Sequence, residues 1–184
     1  MISAYVIDAA SSRFTVQAFA SGILSAMGHN PTIGIRDFSG EVTFDASALE
    51  SKSLRVDIRM NSLRLLDDIP TKDRLEIERR MNDQVLEVAK YPEAVYKGSE
   101  VSIARLEDGY CSVALNGMLN FHGVSCMQSI TAQVAVSGAI LKAAGGFTLE
   151  QSVYGVRPVS VAGGALRIKD ELKFSFEIIA RQRE

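Results

Sequence analysis

From Leu54 to Asn61 the chain alternates without a fault. Leu54, Val56, Ile58 and Met60 are apolar, while Arg55, Asp57, Arg59 and Asn61 are polar or charged. Such a run is an extended strand with one buried and one wet face, because successive side chains point to opposite sides of a sheet. Wound as a helix, the four apolar groups would scatter around the circumference. The same period returns in Leu172–Ile178, in Ile130–Val136 and, over a shorter span, in Gly40–Asp45. Arg13–Ala20, Ala94–Ile103, Tyr110–Phe121 and Gly146–Tyr154 are further strand candidates, which makes about eight.

Turn chemistry fits short connections. Asp108-Gly109 is a hairpin pair of the kind that takes positive φ. Gly145-Gly146 and Gly163-Gly164 read as turns in the same way. One segment obeys a different period. Between Thr71 and Val88, apolar residues recur at Ile77, Met81, Val85 and Val88, about one helical turn apart. Pro70 precedes the run, Thr71 suits an N-cap, and Tyr91-Pro92 ends it. The spacing predicts one amphipathic helix inserted between strands, across a barrel edge or mouth.

At 184 residues with no linker or repeat, the chain reads as a single domain, 1–184. It is large enough to hold together without disulfides or metals. A net charge of −2 with no basic run argues against nucleic acid. No stretch approaches the ~20 apolar residues of a transmembrane helix. The N-terminus lacks a secretory pattern and Met1 favours a complete chain, so cytoplasmic residence is expected.

Residues that carry chemistry are sparse. His29 and His122 are the only histidines, and Cys111 and Cys126 the only cysteines. His122 and Cys126 stand four apart, about 13 Å on one strand, too far to share an ion unless a turn intervenes. No nucleophile elbow or phosphate-cradling glycine loop is present. Asp67-Asp68 reads as a solvated turn favouring the helix dipole. His29, in the turn Gly28-His29-Asn30-Pro31, is either satisfied by backbone or a polar anchor near a barrel mouth. Neither a cofactor nor a metal is expected. The apolar and aromatic positions either line a cavity or fill a core, and periodicity does not separate these, nor a sandwich from a barrel.

The ordered features resemble the YceI-like family over nearly the whole chain. Tyr5-Val6-Ile7-Asp8 with Ser12 and Phe14 is similar to its opening strand, Phe38-Ser39-Gly40-Glu41-Val42 to its second block, and Asn61-Ser62-Leu63 to the end of its third. Val85-Leu86-Glu87-Val88-Ala89-Lys90-Tyr91-Pro92-Glu93-Ala94-Val95-Tyr96 resembles the helix end, Tyr-Pro turn and following strand. Asn116–Val124 resembles a family hairpin, and Tyr154-Gly155-Val156 a late motif. Tyr5 replaces a common tryptophan, and Ser62-Leu63-Arg64-Leu65 departs from the usual third block.

The resemblance implies an all-β fold: an eight-stranded antiparallel lipocalin-like barrel with one inserted amphipathic helix. It further implies non-catalytic binding of a polyisoprenoid or isoprenoid quinone inside the barrel. Candidate ligand-binding residues are then Phe14, His29, Phe44, Ile58, Met60, Met81, Tyr96, Phe121, Phe147, Tyr154, Phe174 and Phe176. The alternatives are a barrel filled by its own side chains, serving protein–protein interaction or a stress response, and a lipid-acting enzyme with His29 as base. An apolar flank beside the helix would suit a homodimer.

Overall fold

The computed structural model describes residues 3–22, 30–45, 50–105, 110–161, 163 and 165–183. Its strands are β1 (Ser3–Ile7), β2 (Arg13–Gln17), β3 (Ala20–Ser21), β4 (Thr32–Ile35), β5 (Phe38–Asp45), β6 (Glu50–Arg59), β7 (Leu63–Leu65), β8 (Glu93–Arg105), β9 (Tyr110–Phe121), β10 (Val124–Ser137), β11 (Ile140–Glu150), β12 (Ser160–Val161), β13 (Leu166–Ile168) and β14 (Glu171–Gln182). The main sheet runs β1-β5-β6-β8-β9-β10-β11-β14, and β14 pairs back to β1 through Tyr5↔Gln182 and Ile7↔Ala180. Every neighbour is antiparallel, so the sheet is a closed barrel of eight strands. Closure pairs the two outermost strands, β1 and β14, whose edges an open sheet would present.

The first three barrel strands are each bent into two pieces. β1 passes into β2 through a 3-10 turn, Ala9–Ser11. Asp8 holds that corner: its carboxylate accepts from the Ser11 amide (3.2 Å) and hydroxyl (2.9 Å), and from Arg181 Nε (2.9 Å). These donors hold the Asp8 carboxyl below its usual range, the Ser11 hydroxyl contributing most. β4 continues into β5, and β6 turns at Met60–Ser62 into β7. Beyond the bends, β2, β4 and β7 pair in series, with β2 resting on the first half of β14.

α1 (Thr71–Arg80) follows β7 and continues as a π-helical turn, Met81–Val85. It starts one residue earlier than the capping chemistry suggests: Pro70 occupies the cap position, and Thr71 is the first helical residue. The expected stripe is only half buried. Met81, Val85 and Val88 pack against the core and Leu86 is buried, whereas Ile77 is 45% exposed and Leu75 61%. The helix covers the free edge of β7, where Glu78 Oε1 accepts from the Leu65 amide at 2.9 Å. Asp67 is part of the same brace: its Oδ2 accepts from the Thr32 amide (2.9 Å) and its carbonyl from Arg74 Nη2 (2.9 Å). No helix among the described residues is long and apolar enough to cross a membrane.

This end of the barrel, called the helix end below, holds the larger core cluster, including Val16, Ile35, Leu63, Leu86, Leu149 and Val156. A smaller cluster of Tyr5, Val113, Ala132, Val134, Leu141 and Ala180 lies toward the hairpin end, where the β10–β11 turn sits. Gly145-Gly146 is not a turn. Both glycines lie inside β11, which ends at Glu150, and Gln151–Tyr154 forms a 3-10 turn rather than the end of a strand. The reason is spatial: a Cβ on Gly145 would lie 2.1 Å from the Thr131 carbonyl oxygen, and one on Gly146 2.3 Å from that of Phe174. Asp108-Gly109 lies outside the described residues.

Candidate ligand-binding cavity

The inward faces of the barrel strands do not meet. Between the two core clusters lies a cavity of about 160 Å³ whose lining exposes no polar surface. Alternation places Val113, Leu115 and Leu119 of β9 along it, facing Leu54, Val56 and Ile58 of β6 and Phe176, Ile178 and Ala180 of β14. From Val113 to Leu119, strand rise and a tilt of about 40° give about 15 Å along the barrel axis. The lining is therefore elongated along the barrel axis, and the cavity is called the slot below. Apolar cavities near this volume stay dry and accept small hydrocarbons.

Several lining side chains are only half-buried, among them Ile7, Leu54, Ile58, Phe147, Phe176 and Ile178. A filled barrel would bury these inward positions as it does Val16 or Ala180. Toward the helix end the slot stops at an aromatic group. Phe14 meets Phe38, Phe174 and Phe176 edge to face at 5.7, 6.3 and 6.2 Å. Phe147 stacks on its cross-strand partner Phe174 at 4.5 Å. Such pairs are stabilised beyond their buried area by roughly 0.5–1.5 kcal/mol each.

Of the residues expected to touch a ligand, Phe14, Ile58, Tyr96, Phe147 and Phe176 line the slot. Met60, Phe121 and Tyr154 are buried beyond its closed end, as parts of the helix-end core. Met81 packs on the outer side of that core, and Phe174 stands behind Phe147. His29 lies outside the described residues, and of Phe44 only the backbone, in β5, is described. The lining also includes Val42, Ile103, Ala132, Val134, Leu141 and Ala143. Choosing aromatics passed over these, although their strand parity marks them as inward.

Tyr96 is the one lining residue with a polar side-chain atom, and it turns that atom away. Its hydroxyl donates to the Gln128 carbonyl at 3.2 Å, leaving the ring face to the slot. Burial pushes the phenol up to about 12. A raised phenol pKa contributes stability that is complete below pH 10 and is lost as pH rises through about 12. Absorbance titration at 295 nm is expected to show a tyrosine that ionises only near pH 12, together with unfolding. Replacing Tyr96 by phenylalanine removes that step, and an unchanged titration would contradict the assignment.

Gly117 makes room for this tyrosine. A Cβ there would lie 2.6 Å from Tyr96 Cζ and 2.4 Å from the Lys97 carbonyl oxygen. Gly117→Ala is therefore expected to destabilise the barrel by roughly 1–3 kcal/mol through overpacking, measured by urea denaturation. A change within 0.5 kcal/mol would show that strand β9 shifts freely, contrary to this packing.

His122 belongs to a clasp at the helix end. With Gly123 it forms the two-residue β9–β10 turn, both at positive φ (51° and 77°). The ring is buried against Tyr91 at 4.2 Å, and Nδ1 lies 3.3 Å from the Tyr154 carbonyl. Nε2 is 3.2 Å from Glu87 Oε2, within ion-pair distance but without hydrogen-bond alignment. Cys126 faces the core from β10, so the intervening turn does not bring the two into a ligand set. No group of three or more metal-ligating side chains occurs among the described residues.

A family model for the YceI-like domain matches residues 5–180. BcnA of Burkholderia cenocepacia superimposes with a TM-score of 0.72 at 18% identity, over 94% of this chain and 98% of that one. A polyisoprenoid binding domain from Saccharophagus degradans, described as implicated in plant cell wall breakdown, gives 0.70 at 16% identity, over 98% and 99%. The Campylobacter jejuni YCEI protein gives 0.66 at 16%, over 85% and 88%. A search of curated proteins finds no significant match. At these identities the solved structures attest the barrel, and the domain match attests the kinship: the chain belongs to the YceI-like family.

Proposed function

We propose that the protein binds and carries, without chemistry, the apolar tail of an amphipathic lipid of the polyisoprenoid or isoprenoid quinone class. One observation carries this reading: a continuous slot inside a closed barrel whose lining exposes no polar surface. Such a site can desolvate a hydrocarbon chain and offers no group to attack it. The polyisoprenoid binding described for the Saccharophagus domain supports the same ligand class. In the resting state the slot accepts the leading segment of a chain. A full tail requires the half-buried aromatics to swing aside, at a cost offset by the contacts they then make.

The contact energy suffices. At roughly 0.3 kcal/mol per heavy atom, a twenty-carbon tail gains about 6 kcal/mol, a Kd in the tens of micromolar. Geranylgeraniol is expected to displace cis-parinaric acid, a linear fluorescent polyene, with a Kd in that range. No uptake of the polyene and no displacement would leave the filled-barrel interaction module as the better account. A cytoplasmic address and a homodimer are separate expectations, checked by fractionation and by sedimentation.

A further inference from the structure

The barrel is closed by strand pairing at the hairpin end but not all the way to the helix end. β10 and β11 pair from Ser137↔Ile140 to Thr131↔Gly146, and there the ladder stops. Beyond it, residues 124–130 of β10 pair only with β9, and 147–150 of β11 only with β14. Gly145 and Gly146 stand at the fork, where their missing Cβ atoms let β11 press close to β10 on one side and β14 on the other. Another free edge at this end, that of β7, is covered by the helix. Among the described residues no helix or strand covers the β10–β11 seam, and only the Gln151–Tyr154 turn packs beside it on β10.

What crosses the seam is a side chain. Gln128 Nε2 donates to the Thr148 carbonyl of β11 at 3.2 Å and to the Ser129 carbonyl at 3.0 Å. The Gln128 backbone carbonyl accepts from the Tyr96 hydroxyl. Farther toward the helix end, Tyr154 closes the gap from behind, packed on Phe121 at 5.5 Å. The first residues past the fork on either side, Ile130 and Phe147, both line the slot. The seam therefore gives directly onto the cavity, and it carries polar groups that the cavity lacks.

We infer that this seam is a lateral portal for the ligand chain, with the Gln128 amide as its latch. The inference rests on the lipid-carrier reading and adds the route. Opening it breaks the Gln128–Thr148 bond and parts two edges that no ladder joins. Both edges can be rewetted, so the cost is far below that of unzipping a paired strand. A chain entering here meets Phe147 and Ile130 first, and its polar head is left beside Gln128 and the backbone groups of the unpaired edges.

A latch alters passage in both directions alike, whereas a ligand contact or a packing defect alters affinity. Stopped-flow mixing with cis-parinaric acid reads both rates in the intact protein. Gln128→Ala is expected to speed entry and exit together by roughly fivefold, the loss of one hydrogen bond, with Kd unchanged within twofold. Gln128→Glu keeps the shape but cannot donate to Thr148, so it should speed both rates as well. The isosteric variant keeps the test open if the alanine variant folds poorly. Unchanged rates in both variants would overturn the portal. A change in exit alone would make Gln128 a ligand contact and overturn the latch. Failure of the polyene to bind the wild-type protein is a different result, which removes the carrier reading and the portal with it.

Discussion

Replacing Ala132 with phenylalanine is expected to abolish chain uptake while leaving the barrel folded. Ala132 sits midway along β10, pairs with Gly145 and Val113, and faces the slot. The larger ring would project into the cavity that Ala132 lines. Occupying an empty apolar space restores dispersion contacts that its walls otherwise lack, so the melting temperature should hold or rise. The ligand loses its place. If about ten carbons of contact are displaced, at roughly 0.3 kcal/mol each, binding weakens about a hundredfold. Titration with cis-parinaric acid checks the affinity, and a thermal melt checks the fold. Undiminished binding in a folded variant would place the ligand outside the lumen.

The second large effect concerns stability. Tyr154→Ala should cost about 3–5 kcal/mol, the range for deleting a buried aromatic group whose cavity cannot collapse. Tyr154 is 2% exposed and wedges the helix end, between Phe121 and the clasp formed by His122, Glu87 and Tyr91. Burial also holds its phenol above the usual range, as expected for a ring in the core. Tyr154→Phe keeps the ring and should cost less than about 1.5 kcal/mol. Urea denaturation of the pair separates ring from hydroxyl. A loss under 1 kcal/mol for the alanine variant would mean that the helix end closes without this wedge.

How much of this was legible in the sequence varies with the range of the interaction. Alternation in Leu54–Asn61 and Leu172–Ile178 is local, and it placed inward and outward residues correctly along β6 and β14. The helix was legible from its turn-length spacing, but not its shallow docking, which leaves Ile77 exposed because only the later turns reach the core. The bend at Met60–Ser62 was hidden because Met60 continues the strand parity while its backbone already turns. Gly145-Gly146 misled for a related reason. A glycine pair signals a turn or a close approach with equal force, and only the neighbours Thr131 and Phe174 decide which.

The cavity itself was not legible. Whether inward residues fill a barrel or line it depends on the balance between lumen width and summed side-chain volume across eight strands, not on any single strand. Small inward residues such as Ala132, Ala143 and Ala180 leave the space, and they carry no motif. The aromatic residues drew attention instead. Phe121 and Tyr154 proved to be core beyond the closed end of the slot, while Phe14, Phe147 and Phe176 line it.

An apolar chain held in this lumen should survive purification. Protein expressed in its native host and purified without detergent should be extracted with apolar solvent and the extract analysed by mass spectrometry. An isoprenoid lipid or quinone is expected at close to one molecule per chain, lost in the Ala132→Phe variant. Extracts without lipid from folded protein, repeated across preparations, would contradict it and leave the barrel as an interaction module.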